Sequence, residues 1–230
     1  MKDAVERIRD KGNSSLLLQL ADRVGNVTPP PNDEITESMN VIGVTILNKP
    51  MTQEDKVRAE HVLRINDEDD LFIGKPNTDA IYMKSGLCND PDIVEWKLDA
   101  YPELRELVVG DDCLQCVKGF ELSEFKCLEK VEIGARCFTK TSGCFEVNGC
   151  EKLRRFVIGK ESCVKWSSFV MKNCGVIEVS IGDGCFVNCE NTVFESLSGL
   201  TKLTVGKESF RGDEKKKSAL VMKSECFERE

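Results

Sequence analysis

The stretch KVEIGARCF, Lys130 to Phe138, is written again as RFVIGKESC, Arg155 to Cys163, with the glycine in the same place. The phrase extends in both directions. LRELVVG, LEKVEIG, LRRFVIG, VIEVSIG and LTKLTVG end at Gly110, Gly134, Gly159, Gly182 and Gly206, at spacings of 24, 25, 23 and 24 residues. Within each copy the later apolar residues alternate with polar ones, the pattern of a short strand with one buried face. The expected inward pairs are Leu107/Val109, Val131/Ile133, Phe156/Ile158, Val179/Ile181 and Leu203/Val205.

A second short strand is expected in every unit, at Trp96–Leu98, Phe120–Leu122, Phe145–Val147, Phe169–Met171 and Phe194–Ser196. Trp96, Phe120 and Phe145 each precede their glycine by 14 residues. A unit of about 24 residues with two short strands cannot enclose its own apolar face and must stack on its neighbours. The fold class is therefore mainly β: a solenoid with two short strands per turn.

The pattern L-x-x-L-x-I resembles the strand half of a leucine-rich repeat. Cys150-x-x-Leu153-x-x-Phe156-x-Ile158, followed by Gly-x-x-Cys/Ser and an apolar residue, is similar to the BspA-like branch of that family. The likeness covers roughly residues 93 to 227, with one departure: glycine ends the main strand directly, where that branch commonly places proline. It implies a recognition scaffold, sometimes a surface adhesin, with the main strands on the concave side.

Outside the repeats, residues 4 to 24 carry apolar residues at helical spacing, and Pro29-Pro30-Pro31 forms a stiff linker, so 1–32 reads as a small helical segment. Residues 33–92 read as an atypical first repeat or N-terminal cap, with strand-like pieces at Val41–Leu47 and Leu71–Ile73 around a helix at Gln53–Leu63. The array proper is expected over 93–230. Ala219–Met222 restarts the second strand and no further L-x-x-L-x-I follows, which leaves the last turn incomplete.

Composition narrows the function. The 230 residues are 40% hydrophobic, enough for a core, and the net charge is -8. Residues 31–100 hold 15 acidic against 7 basic residues, while the remainder is close to balanced. Phosphate backbones need clustered Lys and Arg, so nucleic acid is not expected as a partner. No apolar run is long enough to span a bilayer, and the acid-containing N-terminus lacks a signal-peptide core, so membrane insertion is not expected and the compartment reads as cytoplasmic.

Twelve cysteines invite disulfide or zinc readings. Cys113, Cys137 and Cys185 share one repeat position and Cys150 and Cys174 another, which is the behaviour of small buried core residues. Cys113-x-x-Cys116 is one ligand pair without a second. The one histidine, His61, has nothing nearby to orient it as a base. Asp67–Asp70 lacks the glycine of a calcium loop, having Phe72 at that place, and Gly74-Lys75 lacks the upstream glycine of a phosphate loop. No catalytic residue, metal or cofactor is assigned.

Surface chemistry remains. The outward residues of the main strands form two columns, from which Lys130, Glu132, Arg155, Val157, Glu178 and Lys202 are expected to meet a protein partner. The alternative is a structural or adhesive protein that self-assembles through its open C-terminal end. The second-strand column is expected to hold Glu121, Glu146, Val170, Glu195 and Val221 as solvated surface.

Overall fold

The computed structural model describes residues 61–212 and 219–223. The expectations on residues 1–60 (helical segment, proline linker, the Val41–Leu47 strand and most of the Gln53–Leu63 helix) lie outside the described residues.

The chain winds as a β-solenoid of about 6 turns. One face is a seven-stranded parallel sheet in the order β1 (Val62–Ile65), β2 (Ala80–Met83), β3 (Glu106–Val109), β5 (Lys130–Ile133), β7 (Arg155–Ile158), β9 (Glu178–Ile181) and β11 (Lys202–Val205). The other is a five-stranded parallel sheet of β4 (Gly119–Ser123), β6 (Cys144–Asn148), β8 (Ser168–Lys172), β10 (Asn191–Glu195) and β12 (Ala219–Lys223). Residues one turn apart stand directly beside one another, as Val131 does with Phe156 and Ile133 with Ile158.

The expected inward pairs hold in β3, β5, β7 and β9, where alternate residues are buried. In β11 the same positions are less enclosed: Leu203 is half-buried against the core and Val205 is 44% exposed. Between the sheets runs a file of aromatic rings, Trp96, Phe120, Phe145 and Phe169, at centroid separations of 6.2, 5.2 and 5.8 Å. Such contacts add roughly 0.5–1.5 kcal/mol each beyond area burial.

The corner after β3, β5, β7, β9 and β11 explains the repeated cysteine. It carries two left-handed residues with one between them, as in Arg136 (φ 55°), Cys137 and Phe138 (φ 57°). Left-handed backbone costs a non-glycine residue about 1–2 kcal/mol, so something must hold it. The middle side chain does: its thiol or hydroxyl donates to a carbonyl of the preceding turn. The bonds run from Cys113 to Lys84 O (3.2 Å), Cys137 to Gly110 O (3.2 Å), Ser162 to Gly134 O (2.9 Å), Cys185 to Gly159 O (3.1 Å) and Ser209 to Gly182 O (2.7 Å). Cysteine and serine interchange here because both present one short donor on Cβ.

Four local expectations are corrected. Val62 and Leu63 lie in a strand, not a helix, because Leu63 and Ile65 fill the core column beside Ile81 and Met83. Leu71 to Ile73 is not a strand; Asp69–Phe72 forms a 3-10 turn. In β10, Thr192 rather than Phe194 takes the position of Phe169, and Phe194 pairs with Met171. The outward column is therefore Glu121, Glu146, Val170, Val193 and Val221, and Glu195 lies one position further on.

Trp96–Leu98 keeps its side chains in the core but is not a strand. The register of the neighbouring rungs would have Leu98 O accept from Ser123; instead it accepts from Tyr101 N–H at 2.9 Å, within a local turn. The array also reaches further back than residue 93, since β1 and β2 continue its first sheet.

Candidate interaction face

Parallel register brings the six expected contact residues together on the outer face of the first sheet. Lys130, Arg155, Glu178 and Lys202 form one column, and Glu132 and Val157 stand side by side in the next. The charges bind one another. Lys130 Nζ lies 3.2 Å from Glu132, Arg155 Nε donates to Glu132 at 3.0 Å and its Nη1 to Glu178, and Lys202 Nζ donates to Glu178 at 2.7 Å. The result is a ladder of five side chains across four rungs.

Its electrostatics follow from this pairing. Burial would raise the Glu132 carboxyl, but hydrogen bonds from Arg155 and Lys130 outweigh it and hold it below the ordinary range. The Lys202 hydrogen bond, against a smaller effect of burial, does the same for Glu178. The side chains of Arg155 and Lys202 remain 44% and 65% exposed, so solvent screens each pair and it contributes little to stability.

The same face continues toward β1 through residues that repeat arithmetic did not single out. Tyr82 donates to Glu106 at 2.8 Å, and the Arg64 guanidinium lies 5.3 Å from the centre of the Tyr82 ring. Their signal is the register itself: Arg64, Tyr82, Val108, Glu132 and Val157 form one column once β1 and β2 are recognised as rungs.

The residues considered for chemistry have structural tasks. Cys113 and Cys116 point to different carbonyls, Lys84 O and Asn89 O, at 3.2 and 3.5 Å. The Asp70 carboxylate accepts from the Asn66 and Asp67 backbone N–H groups at 2.9 and 3.3 Å, which closes its own turn. A Cβ on Gly74 would lie 2.3 Å from the Tyr101 ring, so this glycine serves packing. Among the described residues, no three His, Cys, Asp or Glu side chains gather as a metal site, and no helix is long and apolar enough to cross a membrane.

Family models, curated proteins and solved structures return no match to this chain.

Proposed function

We propose that the chain is a non-catalytic recognition scaffold of leucine-rich-repeat type, akin to the BspA-like branch and cytoplasmic, that binds a protein partner on the outer face of its first sheet. The contact set is Lys130, Glu132, Arg155, Val157, Glu178 and Lys202. The observation that carries this reading is the in-register ladder: its long side chains are already held by one another, so a partner orders few rotamers on docking. Val157 and Val108 add half-buried apolar contact between the charges.

The test compares capture from native lysate by wild type, by Arg155→Ala with Val157→Asp, and by Arg136→Ala away from this face, with melting curves for all three. A protein retained by wild type and Arg136→Ala but lost with the double variant supports the face. Equal capture by all three proteins overturns it.

A second reading, self-assembly through the C-terminal end, is favoured by the exposure of Val205, Leu220 and Met222 at 44, 64 and 41% on the last rung of each sheet. Contiguous exposed apolar residues on a sheet edge template further pairing. Light scattering over a concentration series decides it: a mass constant at one chain rejects assembly.

A further inference from the structure

The second sheet has a break at its first rung. In this sheet, residues at the first position of a strand donate to the preceding rung, as Asn191 does to Ser167 O and Ala219 to Glu190 O. Gly119, Glu121 and Ser123 of β4 occupy the first, third and fifth positions, so their backbone groups face the segment 94–99. Among the described residues, the one backbone bond joining β4 and its leading residue to that segment is Lys118 N–H to Val94 O at 3.0 Å. The backbone of Glu121 and Ser123 is thus left unpaired toward it, an open sheet edge inside the array.

A groove of about 710 Å³ lies along this edge. Its lining includes Glu95, Trp96, Lys118, Glu121, Cys144 and Glu146. Glu121 and Glu146 stand side by side in the register, and among the described residues neither has an ion-pair partner. Like charges on adjacent strands are unfavourable, and no cation among the described residues offsets this pair. The first sheet also sets a like pair side by side, Lys130 and Arg155, but there Glu132 holds both cations. Trp96, 7% exposed, also lines the groove.

We infer that this groove takes an extended, basic peptide segment of a protein partner, which adds to the β4 edge and sets cationic side chains against Glu121 and Glu146. Strand addition gives main-chain hydrogen bonds, and alternate side chains give the selectivity. Period-2 alternation places every second peptide residue on the outer face with the two glutamates. The site is on the opposite sheet from the proposed protein-binding face and does not depend on it.

The probe is a blocked decapeptide alternating Lys and Thr, with a Glu and Thr peptide and a Lys and Thr peptide N-methylated at alternate amides as controls. Binding is read twice: by fluorescence of Trp96 in a Trp166→Phe background, and by protection of the exposed Cys144 thiol from alkylation. The Lys and Thr peptide should bind saturably and slow alkylation of Cys144, whereas both controls should bind weakly. Glu121→Gln with Glu146→Gln should weaken binding by about tenfold or more while leaving the melting curve in place. Arg155→Ala with Val157→Asp on the other sheet should leave it unchanged. Equal affinity for the Glu and Thr peptide, or no loss in the Glu121/Glu146 double variant, overturns the charge assignment. Undiminished binding of the N-methylated peptide overturns strand addition, and no protection of Cys144 places any binding elsewhere and overturns the site.

Discussion

Thr192 stands in the second sheet directly beside Phe169, in a column whose earlier members are Phe120 and Phe145. It is 3% exposed, and its hydroxyl lies 3.3 Å from Cys189 Sγ. A buried threonine ends the phenylalanine run because Phe194 and Phe210 already close on Phe169, at 5.3 and 5.5 Å. Thr192→Val should therefore stay within about 1 kcal/mol of wild type, because the hydroxyl gives up only a weak sulfur contact. Phe169→Ala, which empties the centre of the cluster, should cost about 3–5 kcal/mol. Denaturant unfolding of both variants checks the difference; equal losses would mean that the aromatic file does not organise this end of the array.

Gly159 needs closeness to the turn beneath it, not a left-handed backbone. A Cβ there would lie 2.5 Å from both Ala135 N and Gly134 C, while Gly159 N–H already donates to Ile133 O at 2.7 Å. Backbone cannot yield as a side chain does, so Gly159→Ala should cost about 2 kcal/mol or more. Beside it, Ile158→Asp puts a carboxylate at a site 1% exposed, between Ile133 and Ile181, and should remove several kcal/mol, of the order of a modest domain's whole stability. A melting temperature unchanged in either variant would refute the register.

Acid should weaken the fold through the ladder. Glu132 and Glu178 have folded carboxyls held below their ordinary value of 4.5, so the unfolded chain binds more protons as pH falls past that value. Their stabilisation is present above about 4.5 and is lost as pH drops through the lower folded values. Melting temperature measured against pH should fall on that side, and Glu132→Gln should flatten part of the fall. An identical slope in wild type and Glu132→Gln would show that other groups carry the acid response.

The thiols should separate into two classes. Burial pushes Cys137 up to about 12 and Cys185 to about 11, and raises Cys163 well above the ordinary thiol range, so few are thiolates at mildly alkaline pH. Cys144 is exposed and Cys127 half-buried. Among the cysteines of the described residues, timed alkylation with peptide mapping should label Cys144 first and Cys127 next, with Cys137, Cys163 and Cys185 reacting only on unfolding. Early labelling of Cys137 would contradict the corner hydrogen bond to Gly110 O.

The replacement of Arg155 by an acid is a poorer probe of binding than its residue type suggests. Arg155 bridges Glu132 and Glu178, so Arg155→Glu would set three carboxylates side by side and disturb the sheet as well as any partner. Arg155→Ala removes the charge without that repulsion and is the variant to use.

Legible before folding is whatever repeats: the glycine period, the inward alternation of Leu107/Val109 through Val179/Ile181, and the shared position of Cys113, Cys137 and Cys185. The alternation follows from burial, the glycine from the closeness of the turn beneath it and the cysteine from the corner hydrogen bond, and each acts on every turn alike and so writes itself into every copy. Features that depend on neighbouring turns emerge only once those turns are stacked. Counting 14 residues back from Gly206 already lands on Thr192, yet the nearby Phe194 is the more conspicuous aromatic, and only the pairing of β10 with β8 distinguishes them. Likewise Trp96 and Leu98 alternate as a strand does, but the turn from Leu98 to Tyr101 takes the carbonyl that β4 would have used. The ladder of Lys130, Glu132, Arg155, Glu178 and Lys202 joins residues more than 20 positions apart, because hydrogen bonds and ion pairs are made across rungs and their geometry exists only once the turns are stacked.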